Sequence, residues 1–227
     1  MSNIKNYRNK ELIWYIIAQI LLIITFQTQD IIYIEFDKWQ KLMVTIASST
    51  IISSLIGVFS FIFDSMFDDQ LKYKCLYLGM RRPGERIFED IKNNNKDIRY
   101  TKENAMKVYS EIYEHTPSEA DKKRTYQNSQ WYKIYHRHTT VLMISNSHRD
   151  YLLCRDIYVA TIIILILYVL LLCLIKSLTF SWQFIAFECI LLIATNIAAR
   201  QRAKRFVSNV IAHDIYADSH SKSFYSM

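Results

Sequence analysis

The stretch IYVATIIILILYVLLLCLI, from Ile157 to Ile175, decides the fold of this chain. At a helical rise of about 1.5 Å per residue, its 19 residues, nearly all of them apolar, approach the ~30 Å hydrocarbon thickness of a bilayer. A second apolar stretch, WQFIAFECILLIATNIAA from Trp182 to Ala199, follows after a short turn around residues 176–180. The two stretches predict a transmembrane hairpin.

Basic residues flank the predicted spans on one side. The segment RQRAKR, from Arg200 to Arg205, places four cations directly behind the last span, and Lys5, Arg8 and Lys10 precede the first apolar run of the chain. Translocation of such cations is disfavoured close to the ends of a span, so these segments are expected in the cytoplasm. The sequence therefore predicts a multi-pass membrane protein with both termini cytoplasmic.

The composition favours a helical membrane protein. Of 227 residues, 51% are hydrophobic, and only 3 Gly and 2 Pro are available for tight turns or phosphate-binding loops. The formal charge of +7 suits nucleic acid or acidic lipid, although in a membrane protein much of such an excess reflects topology. The four cysteines form no CxxC pair, and we expect neither a disulfide nor a zinc site.

Two further apolar runs complete the predicted architecture. Leu12–Phe26 is expected to form a first span and Leu42–Phe63 a second. The predicted fold is all-α: an integral membrane protein with four transmembrane helices, two plus two, and a helical cytoplasmic insert between the second and third. The expected segments are an N-terminal transmembrane hairpin (1–66), a cytoplasmic helical domain (67–155), a C-terminal transmembrane hairpin (156–205) and a cytoplasmic tail (206–227).

Small and hydroxylated residues recur along one face of the second predicted span. Such a face allows close approach of helix backbones, and its hydroxyls can bond across helices or to water. Two interpretations stay open: tight helix packing, or the wall of a water-filled path in an oligomer. The pore-lining candidates there are Thr45, Ser49, Ser53, Gly57 and Ser60, followed by Asp64 in an acidic cluster that would favour cations.

One acidic residue lies well inside the fourth predicted span. Exposure of Glu188 to lipid would cost about 2.5–3.5 kcal/mol on insertion scales, so we expect it to face other helices or water. Thr195, seven residues on, shares the same side of the helix. Both residues are pore-lining candidates, and the alternative for Glu188 is a satisfied hydrogen bond between helices.

The insert reads as a series of short helices. The apolar positions of Lys102–Glu114 follow a helical period. Thr116-Pro117-Ser118-Glu119 resembles a capping box, which predicts a helix that starts there and runs to about Arg137. Residues 141–155 are expected to lead into the third span as one continuous helix.

Cations alternate with aromatic residues on the longest predicted helix of the insert. Cations neutralise phosphates and aromatic rings stack on bases, which is how many proteins hold nucleotides or single-stranded nucleic acid. The alternatives are a solvated helix face over an aromatic core and contact with anionic lipid. The candidate residues for binding a ligand or partner are Lys122, Lys123, Arg124, Tyr126, Trp131, Lys133, Tyr135 and Arg137.

Charged residues precede the third span and are candidates for coupling a gate. These are His148, Arg149, Arg155 and Asp156, of which Arg149 and Asp156 are expected to pair near the membrane. The histidines lack metal-ligand spacing, and the chain has no phosphate loop, nucleophile elbow or paired Arg and His of a ribonuclease. The sequence therefore predicts no catalytic residue, no metal, no cofactor and no enzyme activity.

The layout resembles the small membrane effectors of bacterial anti-phage systems, such as those of the Hailong and Kiwa type or of cyclic-oligonucleotide signalling. The resemblance rests on two spans, an insert containing QNSQWY (127–132), and two further spans entered through HRDYLLCRD (148–156). It implies a homo-oligomeric ion channel or pore, in contact with lipid, that depolarises the membrane. It also implies a cognate soluble regulatory protein, for which a nucleotidyltransferase is one candidate, or an oligonucleotide or nucleotide ligand.

Two other functions remain open at the level of sequence. The first is a non-conducting membrane adaptor that anchors a soluble defence or signalling enzyme through the aromatic cytoplasmic surface. The second is a small membrane-bound enzyme that acts on lipid, which the missing catalytic set disfavours.

Overall fold

The computed structural model describes residues 2–27, 68–94, 97–174 and 179–224. Within these ranges the secondary structure is helical and no strand occurs, so the all-α prediction is confirmed there. A 3₁₀ turn, Pro83–Glu85, precedes the third helix. The helices are α1 (Ser2–Gln27), α2 (Asp69–Tyr77), α3 (Ile87–Asn94), α4 (Lys102–Val108), α5 (Ser110–Glu114), α6 (Ala120–Arg137), α7 (Leu142–Leu174) and α8 (Trp182–Phe224).

The chain divides into two compact units. We call Met1–Leu76 with Leu152–Ala199 the apolar unit, and Tyr77–Tyr151 with Arg200–Met227 the polar unit. Both boundaries in the second half of the chain fall inside long helices, since α7 and α8 each contribute residues to both units. The continuous helix predicted from residue 141 into the third span is therefore confirmed in α7.

Two helices of the described part, α7 and α8, are long and apolar enough to cross a membrane. The second predicted span, Leu42–Phe63, lies outside the described residues. The same holds for the pore-lining candidates that it carries or that follow it, namely Thr45, Ser49, Ser53, Gly57, Ser60 and Asp64.

The apolar unit is held by a stripe of α1 packed on α7. Leu12, Ile16 and Ile20 recur every fourth residue, and this spacing places them on one side of the helix, where they are buried against Ala160. A second cluster joins Ile164 of α7 to two aromatic residues. There the rings of Tyr168 and Phe184 lie 4.5 Å apart between centroids, which locks the end of α7 to the start of α8.

The other faces of the same helices expose large apolar side chains. Leu174 is 78% exposed on α7, Ile190 is 69% exposed on α8, and Trp14 is 61% exposed on α1. Soluble monomers rarely expose extended apolar surface, whereas a bilayer accepts it without cost. The apolar unit therefore exposes apolar surface of the kind that a bilayer accepts.

The polar unit departs from the predicted helix boundaries at two places. The helix predicted over residues 102–114 is interrupted at Tyr109, which separates α4 from α5. The helix predicted to start at Thr116 begins at Ala120 with Glu119 as its N-cap, and it ends at Arg137 as expected. The capping box does not form because the Thr116 hydroxyl instead donates to the backbone oxygen of Ile112 at 2.6 Å.

The C-terminal half of α8 belongs to the core of the polar unit. Residues 206–227 are predicted only as a cytoplasmic tail, whereas the helix continues through this region to Phe224. Its buried positions, at spacings of about one helical turn, form a continuous apolar stripe. They are Phe206, Val207, Val210, Ile211 and Ile215.

Candidate functional site

The most unusual group of the apolar unit is the Glu188 side chain on α8. Its residue is 0% exposed, and neither carboxyl oxygen has a hydrogen-bond partner within the described ranges. Buried ionisable groups normally have partners, because an unpaired polar group away from water costs free energy. A carboxyl without a donor inside a candidate span is therefore the first site to explain.

Polar side chains of two other helices accompany Glu188. The Tyr15 hydroxyl of α1 lies 2.7 Å from the Thr161 hydroxyl of α7 and accepts a hydrogen bond from Gln19 Nε2 at 2.9 Å. Glu188 lies within electrostatic range of Tyr15. Gln19 is also buried, and its Oε1 has no partner in the described part of the chain. The group combines a carboxyl, an amide oxygen and two hydroxyls, all of them oxygen ligands.

The other candidate on α8, Thr195, is half-buried and uses its hydroxyl locally. It donates to the backbone oxygen of Leu191 at 2.8 Å, one turn earlier on the same helix. The neighbouring Asn196 reaches further and donates from Nδ2 to the backbone oxygen of Leu76 at 3.1 Å. Asn196 thus ties α8 to the end of α2, whereas the hydrogen bonds of Thr195 within the described residues stay inside α8.

A buried ion pair marks the entry of α7 into the apolar unit. Arg155 is 3% exposed and Asp156 is 1% exposed, and Arg155 Nη2 lies 3.0 Å from Asp156 Oδ1. Arg155 Nη1 also binds Asp69 at 2.9 Å, and its guanidinium lies 5.5 Å from the centre of the Tyr73 ring. One arginine therefore joins α7 to α2 through a carboxylate and an aromatic face.

The four gate-coupling candidates do not form one group. Arg149 pairs with its neighbour Asp150 at 3.1 Å, and Arg155 pairs with Asp156, in place of the predicted pair of Arg149 with Asp156. Residues seven apart on a helix are separated by about 10 Å along its axis, which is too far for a direct ion pair. Asp150 also accepts from Arg202 Nη1 at 3.2 Å, which links α7 to α8 within the polar unit.

His148 lies in an aromatic cluster of the polar unit. Its ring stacks on Phe206 with centroids 4.7 Å apart, and its Nδ1 lies 3.0 Å from the Tyr135 hydroxyl. Trp131 stacks on Tyr135 at 5.7 Å and meets the edge of Phe206 at 5.4 Å. The ring of Phe206 on α8 is thus enclosed by aromatic residues of α6 and α7.

The structure separates the aromatic and basic members of the predicted ligand-binding face. Trp131 and Tyr135 lie one turn apart on α6 and pack on Phe206. Lys133 lies between them in sequence and is exposed, since two residues on a helix turn the side chain by about 200°. Trp131 is buried and Tyr126 and Tyr135 are half-buried, whereas the rings of Tyr132 and His136 are exposed.

The other cations of that face have acidic partners. Lys122 binds Glu119 at 2.7 Å, Lys123 binds Glu89 of α3, and Arg124 lies 3.6 Å from Asp121. The Lys123 contact is the principal cause that lowers the pKa of Glu89 below its ordinary value. These pairs leave less positive charge for an anionic ligand than the sequence suggests.

A second buried carboxylate, Asp214 of α8, has a full set of donors. Its Oδ2 accepts from the Tyr109 hydroxyl at 2.9 Å. Its Oδ1 lies 2.7 Å from His138 Nε2 and accepts from Arg137 Nη2 at 3.1 Å. The ring of His213 lies 4.7 Å from that of His138. This group, which we call the Asp214 cluster, fastens the far end of α8 to Tyr109 and to the end of α6.

Burial and charge shift the titration of the Asp214 cluster. Burial, with Asp214 as a further cause, raises the pKa of Tyr109 above its ordinary value. Burial first, and then the neighbouring His138, lowers the pKa of His213 below that of a free histidine. Within the described residues, no group of three or more His, Cys, Asp or Glu side chains could hold a metal ion.

Sequence reasoning missed the Asp214 cluster and the role of Phe206. The apolar positions 206, 207, 210, 211 and 215 have helical spacing, which is the signal that would have predicted a packed helix. No sequence signal links Asp214 to Tyr109, because the two residues lie 105 positions apart.

Comparisons of this chain with models of protein families, with curated proteins and with solved structures returned no match.

Proposed function

We propose that this chain is a four-span integral membrane protein of a bacterial inner membrane. In this proposal it forms a homo-oligomer that conducts ions when a soluble partner or a nucleotide ligand acts on the polar unit. Its layout resembles the small membrane effectors of anti-phage systems, in which loss of membrane potential would be the outcome. No catalytic step is required of the chain.

The observation that carries the proposal is the buried, unpartnered carboxyl of Glu188 in a candidate span. Ionisable residues inside membrane spans are costly and are by default candidates for ion or proton pathways. Tyr15, Gln19 and Thr161 supply further oxygen atoms in the same unit. A protein that served only as an anchor would have no use for such a group.

The continuity of the two long helices supports a gate that responds to the polar unit. α8 carries Glu188 in its apolar half and Asp214 in its polar half, without a break between them. A shift or rotation of one half would therefore be passed along the helix to the other. The same argument applies to α7, which carries His148 in one unit and Thr161 in the other.

The test is a flux measurement on the full chain reconstituted in liposomes. Wild type is expected to conduct a monovalent cation, and Glu188→Gln is expected to lower that flux at least tenfold. The matched control is Cys189→Ala, because Cys189 is adjacent and exposed on the same helix. Proteoliposomes that stay silent with every partner and ligand tested would overturn the proposal, and equal flux from Glu188→Gln would remove its support.

The alternative is a non-conducting adaptor that anchors an acidic soluble partner. It is favoured by the charge distribution, because the polar unit holds 19 Lys and Arg against 12 Asp and Glu, a formal charge of +7, while the apolar unit holds 9 of each. Recovery of a stoichiometric partner from cells, with no ion flux in its presence or absence, would favour the adaptor.

A further inference from the structure

The polar unit contains a cavity of about 380 Å³ that none of the sites above uses. It is enclosed by the 3₁₀ turn and α3 on one side, by residues 97–100, and by residues 204–208 of α8. Small-molecule sites commonly occupy cavities of about 300–1,000 Å³. The volume is therefore sufficient for a ligand of the size of a mononucleotide.

The inner wall of this cavity is apolar. Ile91 is 1% exposed, Val207 is 4% exposed, and the Tyr100 side chain is also buried. Such a wall excludes water and offers van der Waals contact to a planar organic group. A bare inorganic ion would gain nothing from it.

The acidic residues of the wall are neutralised by arginines. Asp90 binds Arg86 at 3.1 Å, one turn away on the same stretch of chain. Asp97 accepts from Arg99 Nε at 2.9 Å and from Arg99 Nη2 at 2.6 Å. The Arg99 contact is the main cause that lowers the pKa of Asp97, so this carboxylate stays ionised and paired. Neither acid is left to attract a cationic ligand.

Lys204 is the cation that remains. It lines the cavity from α8, its residue is exposed, and it has no acidic partner within the described ranges. Ser208 lies one turn further along α8 and also lines the cavity, where its hydroxyl donates to the carboxylate of Asp97. The lysine ammonium at the open side of an apolar cavity is therefore the group that can bind a phosphate.

We propose that this cavity binds a nucleoside phosphate, with Lys204 at the phosphate and the wall of Ile91, Tyr100 and Val207 against the base. Arg86 lines the cavity as well, but its guanidinium is paired with Asp90, so Lys204 supplies the charge for the phosphate. This inference deepens the proposed function, on which it rests for its regulatory meaning. It names the class of the ligand and the residues that receive it.

Ligand binding at this position would act on α8 directly. A direct contact already joins residues 97–100 to α8 beside the cavity, because Arg99 Nη1 donates to Asn209 Oδ1 at 2.7 Å. A ligand held between α3 and Lys204 would add a second connection on the same helix, whose other half carries Glu188. The cavity therefore lies beside α8, the helix that connects the polar unit to the gate in the proposed function.

The test measures binding without measuring flux. Purified full chain in detergent is titrated by calorimetry with AMP, GMP, CMP and UMP, with inorganic phosphate and glycerol 3-phosphate as comparison ligands. At least one nucleotide is expected to bind with a dissociation constant at least tenfold below those of both comparison ligands. Lys204→Ala is expected to weaken binding of that nucleotide at least tenfold, whereas Lys107→Ala, which removes an exposed lysine of α4 outside the cavity, is expected to leave it unchanged.

Three outcomes would overturn the inference. The first is that none of the four nucleotides binds at millimolar concentration. The second is that glycerol 3-phosphate binds with the same affinity as the nucleotide, which would assign the site to a lipid headgroup. The third is that Lys204→Ala binds the nucleotide as tightly as wild type does. If Lys204→Ala loses its helical circular dichroism, Ser208→Tyr, which fills the cavity from the same helix, serves as the second variant and must block binding. A protein that binds nucleotide but never conducts contradicts the proposed function alone, and one that conducts but binds none of the four contradicts this inference alone.

Discussion

The two units of this chain treat a buried carboxyl in opposite ways. Asp214 in the polar unit is 8% exposed and has Tyr109, Arg137 and His138 as partners. Glu188 in the apolar unit is 0% exposed and has no partner within the described ranges. Both residues lie on α8. Burial is therefore common to the two acids, and the presence or absence of donors within the described residues distinguishes them.

The physical reason for the difference lies in what each acid contributes to the folded state. A carboxylate with several donors, one of them an arginine, recovers much of the hydration that it loses on burial. A carboxyl without donors recovers none, so it lowers stability and is retained only if it serves another purpose. Four predictions test this distinction.

The largest expected effect is on the Asp214 cluster. Asp214→Ala leaves the Tyr109 hydroxyl and His138 without their acceptor and should lower the free energy of unfolding by about 3–5 kcal/mol. Thermal unfolding of the full chain in detergent, followed by circular dichroism, measures the change. The control is Asp121→Ala, whose side chain is 88% exposed and which should stay within about 0.5 kcal/mol of wild type. Equal melting points for the two variants would contradict a structural role for Asp214.

Glu188 should respond in the opposite direction. Replacing it by Leu, which has a similar volume, removes a buried carboxyl that lacks donors and should raise stability by about 1–3 kcal/mol. The measurement is the same unfolding experiment, with Phe184→Leu as a destabilising control in the packed part of α8. A lower melting point for Glu188→Leu would show that the carboxyl has a stabilising partner, and the contrast between the two acids would fail.

The third prediction concerns pH. Because burial lowers the pKa of His213 in the folded protein, the unfolded chain takes up a proton more readily as the pH falls through about 6.5. Stability contributed by the neutral ring is therefore present above this pH and is lost below it. The groups facing His213 are His138, whose charge adds to the effect, and Asp214, which opposes it.

The measurement is the melting temperature between pH 7.5 and 5.5 for wild type and His213→Gln. The variant should lose less stability over this range, by about 1 kcal/mol or a few degrees. His115→Gln is the control, because His115 is exposed at the end of α5 and the hydrogen bond of its ring within the described residues is to the backbone oxygen of Glu111. Parallel curves for wild type and His213→Gln would contradict the prediction.

Sequence reasoning identified Glu188 but not Asp214, and the reason is the range of the signals. An acid inside an apolar run stands out locally, and the cost of exposing it to lipid predicts that it is buried. The donors to Asp214 lie 76 and more positions away, so its environment depends on tertiary packing that no local pattern encodes. The same limit explains why His148, predicted as a gate residue, lies against Phe206.

The presence of a helix was predictable where the apolar pattern extends over many turns, whereas the ends of helices were not predictable. The run ending in α7 is apolar over many turns, so its helix was predicted from residue 141 onward. The break at Tyr109 was not predicted, because the apolar spacing continues across it. The ring of Tyr109 contacts Phe88, with centroids 5.3 Å apart, and its hydroxyl donates to Asp214. A local preference for helix there yields to tertiary contacts.

The smallest expected effect concerns Glu89, an acid that has partners but is less buried than Asp214 or Glu188. Glu89 on α3 has Lys123 and Arg81 as partners but keeps 24% of its side chain exposed, so water competes with both contacts. Glu89→Gln should therefore cost less than about 1 kcal/mol of unfolding free energy at pH 7.

Because the Lys123 contact lowers the pKa of Glu89, the stability that this acid contributes is present above about pH 4.5 and is lost as the pH falls through its lowered value. The difference between wild type and variant, measured by chemical unfolding, should thus shrink as the pH falls below about 4.5. Glu111→Gln replaces an exposed acid for which no ion pair occurs within the described ranges, and it should show no difference from wild type at any pH. A cost as large as that of Asp214→Ala would mean that partners alone, and not their enclosure away from water, decide what a carboxylate contributes to this fold.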